Sequence, residues 1–237
     1  MQRTSQPRRS PVLRLVTPSP DLSFYAQVAG RTAQADGPVL VLGCANGRLA
    51  WELVQRGRRV VAVESSAPLL EAAEARRATE PAAVSARLQL IHGDLRAVRL
   101  HEIFCAVFAP HNASALMETS GDLQSLFETA RSHLVPGGLF ALDVATGAAR
   151  LRDPGQLTGQ LRPPAMPRSA FRTHFHERGQ EGIERLAPRR ARAQGFASEA
   201  LDQALQAAGL TPFERYGHFD GKPFDDSDAM QVVVASA

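Results

Sequence analysis

The run VLVLGCANGRLAWEL, residues 39–53, carries a wholly apolar stretch into a glycine turn and then into a helical pattern. A short unbroken apolar segment suits a strand covered on both faces, as in a parallel sheet. After the turn, Leu49, Ala50, Leu53 and Val54 recur at helical spacing, and Gly57 supplies a stop. Strand, tight loop and helix in that order build a nucleotide-binding loop. The loop GCANGR therefore bears on fold and ligand together, and the question it poses is which nucleotide it holds.

The same alternation continues along the chain. Residues 21–33 read as a helix with Leu22, Phe24, Tyr25, Val28 and Ala29 on its apolar side. RVVAVE (59–64) is a second strand, with Ser65 or Ser66 capping the next helix and Pro68 in its first turn. ARLQLIHGD (86–94) and EIFCAVFAP (102–110) are predicted as the third and fourth strands. An amphipathic helix over 120–138, ended by Pro136-Gly137-Gly138, leads to a fifth strand over 139–145. SEALDQALQAAG gives a last helix with Ser198 as cap and Gly209 as stop, and TPFERYGHFDG and AMQVVVASA read as two antiparallel strands. This predicts an α/β fold: a doubly wound, Rossmann-like seven-stranded sheet, mostly parallel with an antiparallel C-terminal strand, and helices on both faces. Any ligand belongs over the carboxyl ends of the strands. Residues 1–20 read as a disordered basic tail, residues 21–237 as a single domain, and 146–196 as a variable cap on the substrate side.

At 237 residues, with 44% hydrophobic and 22% charged positions, the chain has the make-up of an ordinary globular protein. It has no apolar stretch long enough to span a bilayer, and its N-terminus lacks the apolar core of a secretory signal, so a cytoplasmic location without membrane attachment is expected. Cys44 and Cys105 have no metal-type spacing and read as free buried thiols, although the place of Cys44 in the loop allows it to line a ligand. The formal net charge of +3 owes +4 to Arg3, Arg8, Arg9 and Arg14, and a second basic run at 185–192 is offset by nearby glutamates. Both runs read as solvated surface, and no RNA-binding aromatic pattern accompanies them, so a nucleic-acid partner is not expected.

A dinucleotide site wants G-x-G-x-x-G. Counted from Gly43, the second glycine position holds Ala45 and the third holds Arg48, whose side chain keeps helix and strand apart. A P-loop needs Gly-Lys-Ser/Thr, and the single lysine of the chain is Lys222. What remains is G-x-x-x-G after the first strand, with Glu64 ending the second strand and Asp94 ending the third. A carboxylate at the tip of the second strand can accept both hydroxyls of a ribose. A cofactor with ribose and adenine but no phosphates fits this lining.

These segments resemble the class I S-adenosylmethionine-dependent methyltransferases. The opening motifs lie in FYAQVA and GPVLVLGCANGRLAWELVQRGRRVVAVESSAPLLEAA, followed by LQLIHGDL, FCAVFAPHNASALM and LVPGGLFALDV in that family's order. The closing ERYGHFDGKPFDDSDAMQVVVA resembles the end of its small-molecule branch. The resemblance implies S-adenosylmethionine as cofactor and S-adenosylhomocysteine as product. It implies that Gly43, Cys44, Ala45 and Gly47 approach the methionine part, that Glu64 with Ser65 holds the ribose diol, and that Asp94 and Leu95 contact the adenine. Ala109, with Pro110, His111 and Asn112, is implied at the boundary of cofactor and acceptor, and Tyr25 over the methyl-bearing end.

Methyl transfer from a sulfonium is an in-line displacement, for which a protein has to position, desolvate and shield, with a base useful for a hydroxyl or protonated amine. His111 is the first candidate for that base and for substrate contact. Asn112, Tyr216 and His218 are expected on the substrate side, with Asp220 near them, whereas His92, His101, His133 and Trp51 read as structural. The strand-four sequence APHNA lacks the motifs of adenine-amino and cytosine-C5 methyltransferases, which favours a small-molecule acceptor at N or O. Two alternatives stay open: a degenerate member that binds without catalysis, motivated by Ala45, and an RNA methyltransferase that uses the basic runs. A monomer and a homodimer are both compatible with the sequence.

Overall fold

A computed structural model describes residues 19–34, 36–111, 113, 117, 119–146 and 196–237. The chain opens with α1 (Pro20–Gly30), β1 (Val39–Leu42), α2 (Arg48–Gln55) and β2 (Val60–Glu64). Next come α3 (Ala67–Ala75), a 3₁₀ turn (Arg76–Thr79), a short α4 (Ala82–Ser85), β3 (Leu88–His92) and β4 (Phe104–Ala109). The remainder comprises α5 (Ser120–Ser132), β5 (Leu134–Ala145), α6 (Ser198–Ala207), β6 (Thr211–Tyr216) and β7 (Met230–Ser236).

The seven strands form one sheet in the order β3-β2-β1-β4-β5-β7-β6. Five adjacent strands run parallel, and β7 lies antiparallel to both β5 and β6. The order reverses between β1 and β4, so the crevice of this open sheet lies past the carboxyl ends of those two strands. Every residue of β1, β2 and β4 is buried, which explains their continuous apolar runs. Two cores result, one per face. Leu123, Leu126 and Phe127 of α5 pack with Leu201 and Leu205 of α6 on one face, and Tyr25, Leu49, Trp51 and Leu53 of α1 and α2 pack on the other.

Four local readings need correction. Helix α1 begins at Pro20, the last residue assigned to the tail. Helix α5 stops at Ser132, and the segment expected to end it becomes the start of β5. Phe104 pairs with Leu134 and Ala106 with Leu139, so Pro136-Gly137-Gly138 sits in a register shift of the sheet. The start of α5 is secured by reciprocal hydrogen bonds between Thr119 and Asp122. Finally, Ala197 precedes α6 as its cap and Ser198 is the first helical residue, while Ser66 precedes α3 without a side-chain cap bond. The proposed tail 1–18 and the interior of the 146–196 segment lie outside the described residues.

Candidate active site

Three residues of the loop after β1 take left-handed backbone conformations: Gly43 (φ 81°), Ala45 (φ 50°) and Gly47 (φ 79°). The glycines are required on steric grounds as well. A Cβ on Gly43 would lie 3.0 Å from Ala113 Cβ, and one on Gly47 would lie 2.9 Å from Ala73 Cβ and 3.1 Å from Trp51. Ala45 occupies the same unfavourable region with a side chain, at a cost of about 1–2 kcal/mol, and its N–H is fixed 2.8 Å from Glu64 Oε2. The loop is thus built around Ala45 and not broken by it. Cys44 turns its side chain into the core, where burial pushes its thiol up to about 12, with the charge of Glu64 adding to that.

Glu64 ends β2 and is 3% exposed. Its Oε1 accepts the Ser66 N–H at 2.9 Å and its Oε2 the Ala45 N–H, so the carboxylate ties the glycine loop to the start of α3. Glu64 thus accepts a backbone N–H at the start of α3 while it stands at the tip of β2. No ion pair to Glu64 occurs among the described residues. A carboxylate has about four lone-pair sites, and two backbone N–H groups leave capacity for further donors. A vicinal diol supplies them, so the residues present fit a ribose. Ser65 stands beside it with Oγ 3.4 Å from Oε1.

On the neighbouring tip, Leu95 is buried beneath Gly43, whereas Asp94 keeps 47% of its side chain exposed. Hydrogen bonds from the Arg96 side chain and backbone hold the Asp94 carboxyl below its ordinary range. Arg96 also reaches Asp122, so Asp94 belongs to a surface ion-pair cluster.

At the end of β4, Ala109 is buried and His111 adopts φ 59°. Its N–H donates to Asp143 Oδ1 at 2.8 Å, and the Tyr25 hydroxyl donates to the same oxygen at 2.6 Å. Burial, reinforced by the charges of Asp143 and Asp21, pushes the Tyr25 phenol far up, so it stays a donor. The His111 ring meets Arg48 Nη2 through Nε2 at 2.8 Å, and Arg48 is paired with Asp21 at the start of α1. Burial alone would raise Asp21, but hydrogen bonds with Arg48 and Ser19 and the charge of Arg48 hold it well below the usual carboxylate range.

Aromatic rings continue outward from Tyr25. Phe108 and Phe219 stand 5.1 and 6.0 Å from it, and Phe24 meets Tyr216 at 6.0 Å and Phe219 at 5.7 Å. His218 is exposed and lies edge-on to Phe219. Tyr25, His111, Tyr216 and His218, scattered in the chain, are thereby joined by Asp143, Phe24 and Phe219. Asp220 points to solvent and pairs with Lys222, and Asn112 lies outside the described residues. The histidines read as structural include two that are visibly so: His133 bonds Thr129 O and the Leu100 N–H, and His92 bonds Ser65 O. Trp51 is fully buried and donates to Ala73 O.

Sequence reasoning passed over Asp143, Asp21 and Phe219, and treated Arg48 only as an obstacle to a dinucleotide. Asp143 had a readable signal, being an acid inside the otherwise apolar run LFALDVA. No cluster of His, Cys, Asp and Glu suited to a metal occurs among the described residues, and none of their helices is long and apolar enough to cross a membrane.

The fold is an open α/β sheet whose first loop carries neither the dinucleotide glycines nor a P-loop, and whose Glu64 carboxylate fits a ribose. A family model described as a methyltransferase domain matches residues 39–138. A cypemycin N-terminal methyltransferase from Streptomyces sp is 27% identical over 225 residues, covering 91% of this chain and 89% of that protein. Among solved structures, the CcbJ methyltransferase from Streptomyces caelestis superposes with a TM-score of 0.69 at 21% identity, covering 93% of this chain and 90% of that one. The glycopeptide N-methyltransferase MtfA, solved with S-adenosylmethionine, does so with a TM-score of 0.61 at 22% identity, covering 90% and 86%. Residues 39–138 match the methyltransferase-domain family, and the protein is an S-adenosylmethionine-dependent methyltransferase with S-adenosylmethionine as its cofactor.

Proposed function

We propose that the protein methylates an amine nitrogen of a small-molecule or peptide acceptor at the carboxyl ends of β4 and β5. One arrangement carries this reading: the carboxylates of Asp21 and Asp143 adjoin His111, and the rings of Phe24, Phe108 and Phe219 surround Tyr25, which shares Asp143 with it. Carboxylates and ring faces favour a cationic centre in a place where an unpaired charge would be costly to desolvate. The Streptomyces relative is by its name an N-terminal methyltransferase, which supports nitrogen over oxygen.

On this reading the backbone of Gly43, Cys44, Ala45 and Gly47 cradles the amino-acid part of the cofactor, and Glu64 with Ser65 takes the ribose hydroxyls. Asp94 and Leu95 border the adenine, and Ala109 and Tyr25 border the reacting end. His111, Asn112, Tyr216 and His218 face the acceptor. When bound, S-adenosylmethionine supplies a methyl group on a positively charged sulfur, together with its own leaving group. The chain's own part is to align the acceptor, hold the loop rigid and exclude water, and alignment alone is worth several kcal/mol. The buried Tyr25–Asp143–His111 linkage gives that rigidity, because it ties α1, the end of β4 and β5 together.

The test is methyl transfer from labelled S-adenosylmethionine to peptides and small molecules with a free amine, set against their N-acetylated and hydroxy counterparts. Label is expected only in the free amines. Equal labelling of the hydroxy compounds, or labelling of the acetylated peptides alone, would overturn nitrogen as the acceptor.

A further inference from the structure

His111 combines features that a simple packing role does not require. Its φ of 59° lies in the left-handed region, which L side chains adopt uncommonly. The buried Asp143 carboxylate maintains that conformation through the His111 N–H. The ring is 20% exposed, and its two nitrogens have different surroundings. Nε2 lies 2.8 Å from Arg48 Nη2, whereas Nδ1 is shut off from solvent and has no hydrogen-bond partner among the described residues.

A guanidinium has five N–H donors and no acceptor. The contact with Arg48 is therefore a hydrogen bond only when Nε2 offers its lone pair, which leaves the ring proton on Nδ1. A proton on Nε2 would set two donors against each other. Asp21 does not relieve that conflict, because its Oδ2 is 3.6 Å from Nε2, beyond hydrogen-bond range. The Asp21 carboxylate is already engaged by Arg48, which also donates to Ser19 Oγ at 2.7 Å. The outcome is a buried Nδ1–H donor without an acceptor. A buried donor left unpaired is destabilising and calls for an explanation, which at the end of β4 is a ligand that completes it.

We propose that Arg48 and Asp21 are positioning residues that hold His111 as the Nδ1–H tautomer, and that this N–H donates to a carbonyl or carboxylate oxygen of a molecule bound beside the transferred methyl. His111 then selects a ligand bearing such an oxygen and is not the general base expected from the sequence. The tautomer stands on the geometry of the ligand-free protein. The donor role rests on the methyltransferase reading above.

Two measurements test the two parts separately. In ligand-free protein with isotope-labelled histidine nitrogens, NMR should show His111 Nε2 as pyridine-type and Nδ1 as pyrrole-type. A protonated Nε2 would overturn the tautomer whatever the enzyme's activity. The second comparison uses His111→Asn and His111→Gln. Asparagine tolerates the left-handed backbone and its amide can place an N–H near the position of Nδ1, whereas glutamine reaches only the position of Nε2. His111→Asn should keep S-adenosylhomocysteine affinity and the amine KM within about threefold, and His111→Gln should lose about 10- to 100-fold in one of them. A loss confined to S-adenosylhomocysteine binding assigns the oxygen to the cofactor, and a loss confined to KM assigns it to the acceptor. Equal losses in both variants, concentrated in kcat, would overturn the donor role and reinstate a base. An absence of methyl transfer to any amine would count against the proposed function alone, since the NMR and S-adenosylhomocysteine measurements do not depend on turnover.

Discussion

Replacing Glu64 by alanine separates a ribose ligand from a structural brace. In the folded protein the carboxylate accepts the Ala45 N–H at 2.8 Å and the Ser66 N–H at 2.9 Å, so some loss of stability follows in any case. Each hydrogen bond to a charged group contributes about 1.5–3 kcal/mol net of exchange with water. With a diol seated on the remaining lone pairs, Glu64→Ala should weaken nucleoside binding by roughly 1–3 kcal/mol, about 5- to 150-fold in Kd. Isothermal calorimetry with S-adenosylhomocysteine gives that number, and adenosine set against 2′,3′-dideoxyadenosine isolates the hydroxyls. The unaltered protein should prefer adenosine, and Glu64→Ala should bind the two nucleosides almost equally. If the variant weakens both by the same factor and keeps the preference, Glu64 acts only through the loop and the ribose assignment fails.

Four further outcomes follow from the same geometry. Gly47→Ala meets Ala73 at 2.9 Å in a left-handed backbone and should lose about 2–4 kcal/mol in chemical denaturation, whereas Gly57→Ala, with open space around it, should lose only the backbone part of about 1–2 kcal/mol. Tyr25→Phe removes the phenol donor from Asp143 and should lower stability by about 1–3 kcal/mol, which an unchanged melting curve would refute. Asp21 has a carboxyl depressed below its unfolded value, so its contribution is complete above the ordinary carboxylate pKa of about 3.9 and fades as pH falls toward the lower folded value. Asp21→Asn should therefore cost about 1–3 kcal/mol at neutral pH, with the gap to the unaltered protein closing in denaturation curves below pH 4. The raised thiol of Cys44 predicts slow alkylation at pH 8 in native protein and fast alkylation after unfolding, measured by mass spectrometry.

The centre of the sheet was readable because β1, β2 and β4 are buried on both faces and so appear as near-continuous apolar runs, from VLVL to FCAVFA. The boundary at 132–139 was not readable, because Pro136-Gly137-Gly138 is the ordinary signature of a helix stop. Here the three residues sit inside a strand that shifts register at Phe104. That choice is made by pairing across the sheet, which local sequence does not encode. Ser198 failed as a cap for a similar reason, since its hydroxyl faces Gln231 of β7, 3.5 Å away, instead of a free N–H of its own helix.

The site divides in the same way. Gly43, Gly47 and Glu64 announce themselves because they end strands or need special backbone angles, and both properties leave marks at fixed spacing. The Asp21–Arg48–His111 chain leaves none, for it joins the start of α1, the first residue of α2 and the end of β4 across the crevice. Read in isolation, Arg48 excludes a pyrophosphate-binding glycine and His111 is a histidine beside a substrate, which makes a base the natural expectation. Contact between them changes the chemistry, because a residue that can only donate occupies the nitrogen a base would need. The substitution of Arg48 by methionine follows from this. It should release Nε2 and let the ring change tautomer, and it should weaken the oxygen-bearing ligand about as much as His111→Gln does, with the glycine loop and Glu64 left in place. An Arg48→Met protein that binds S-adenosylhomocysteine and amine as the unaltered protein does, with the Nδ1–H tautomer intact by NMR, would show that the backbone strain at His111 and not Arg48 sets the ring.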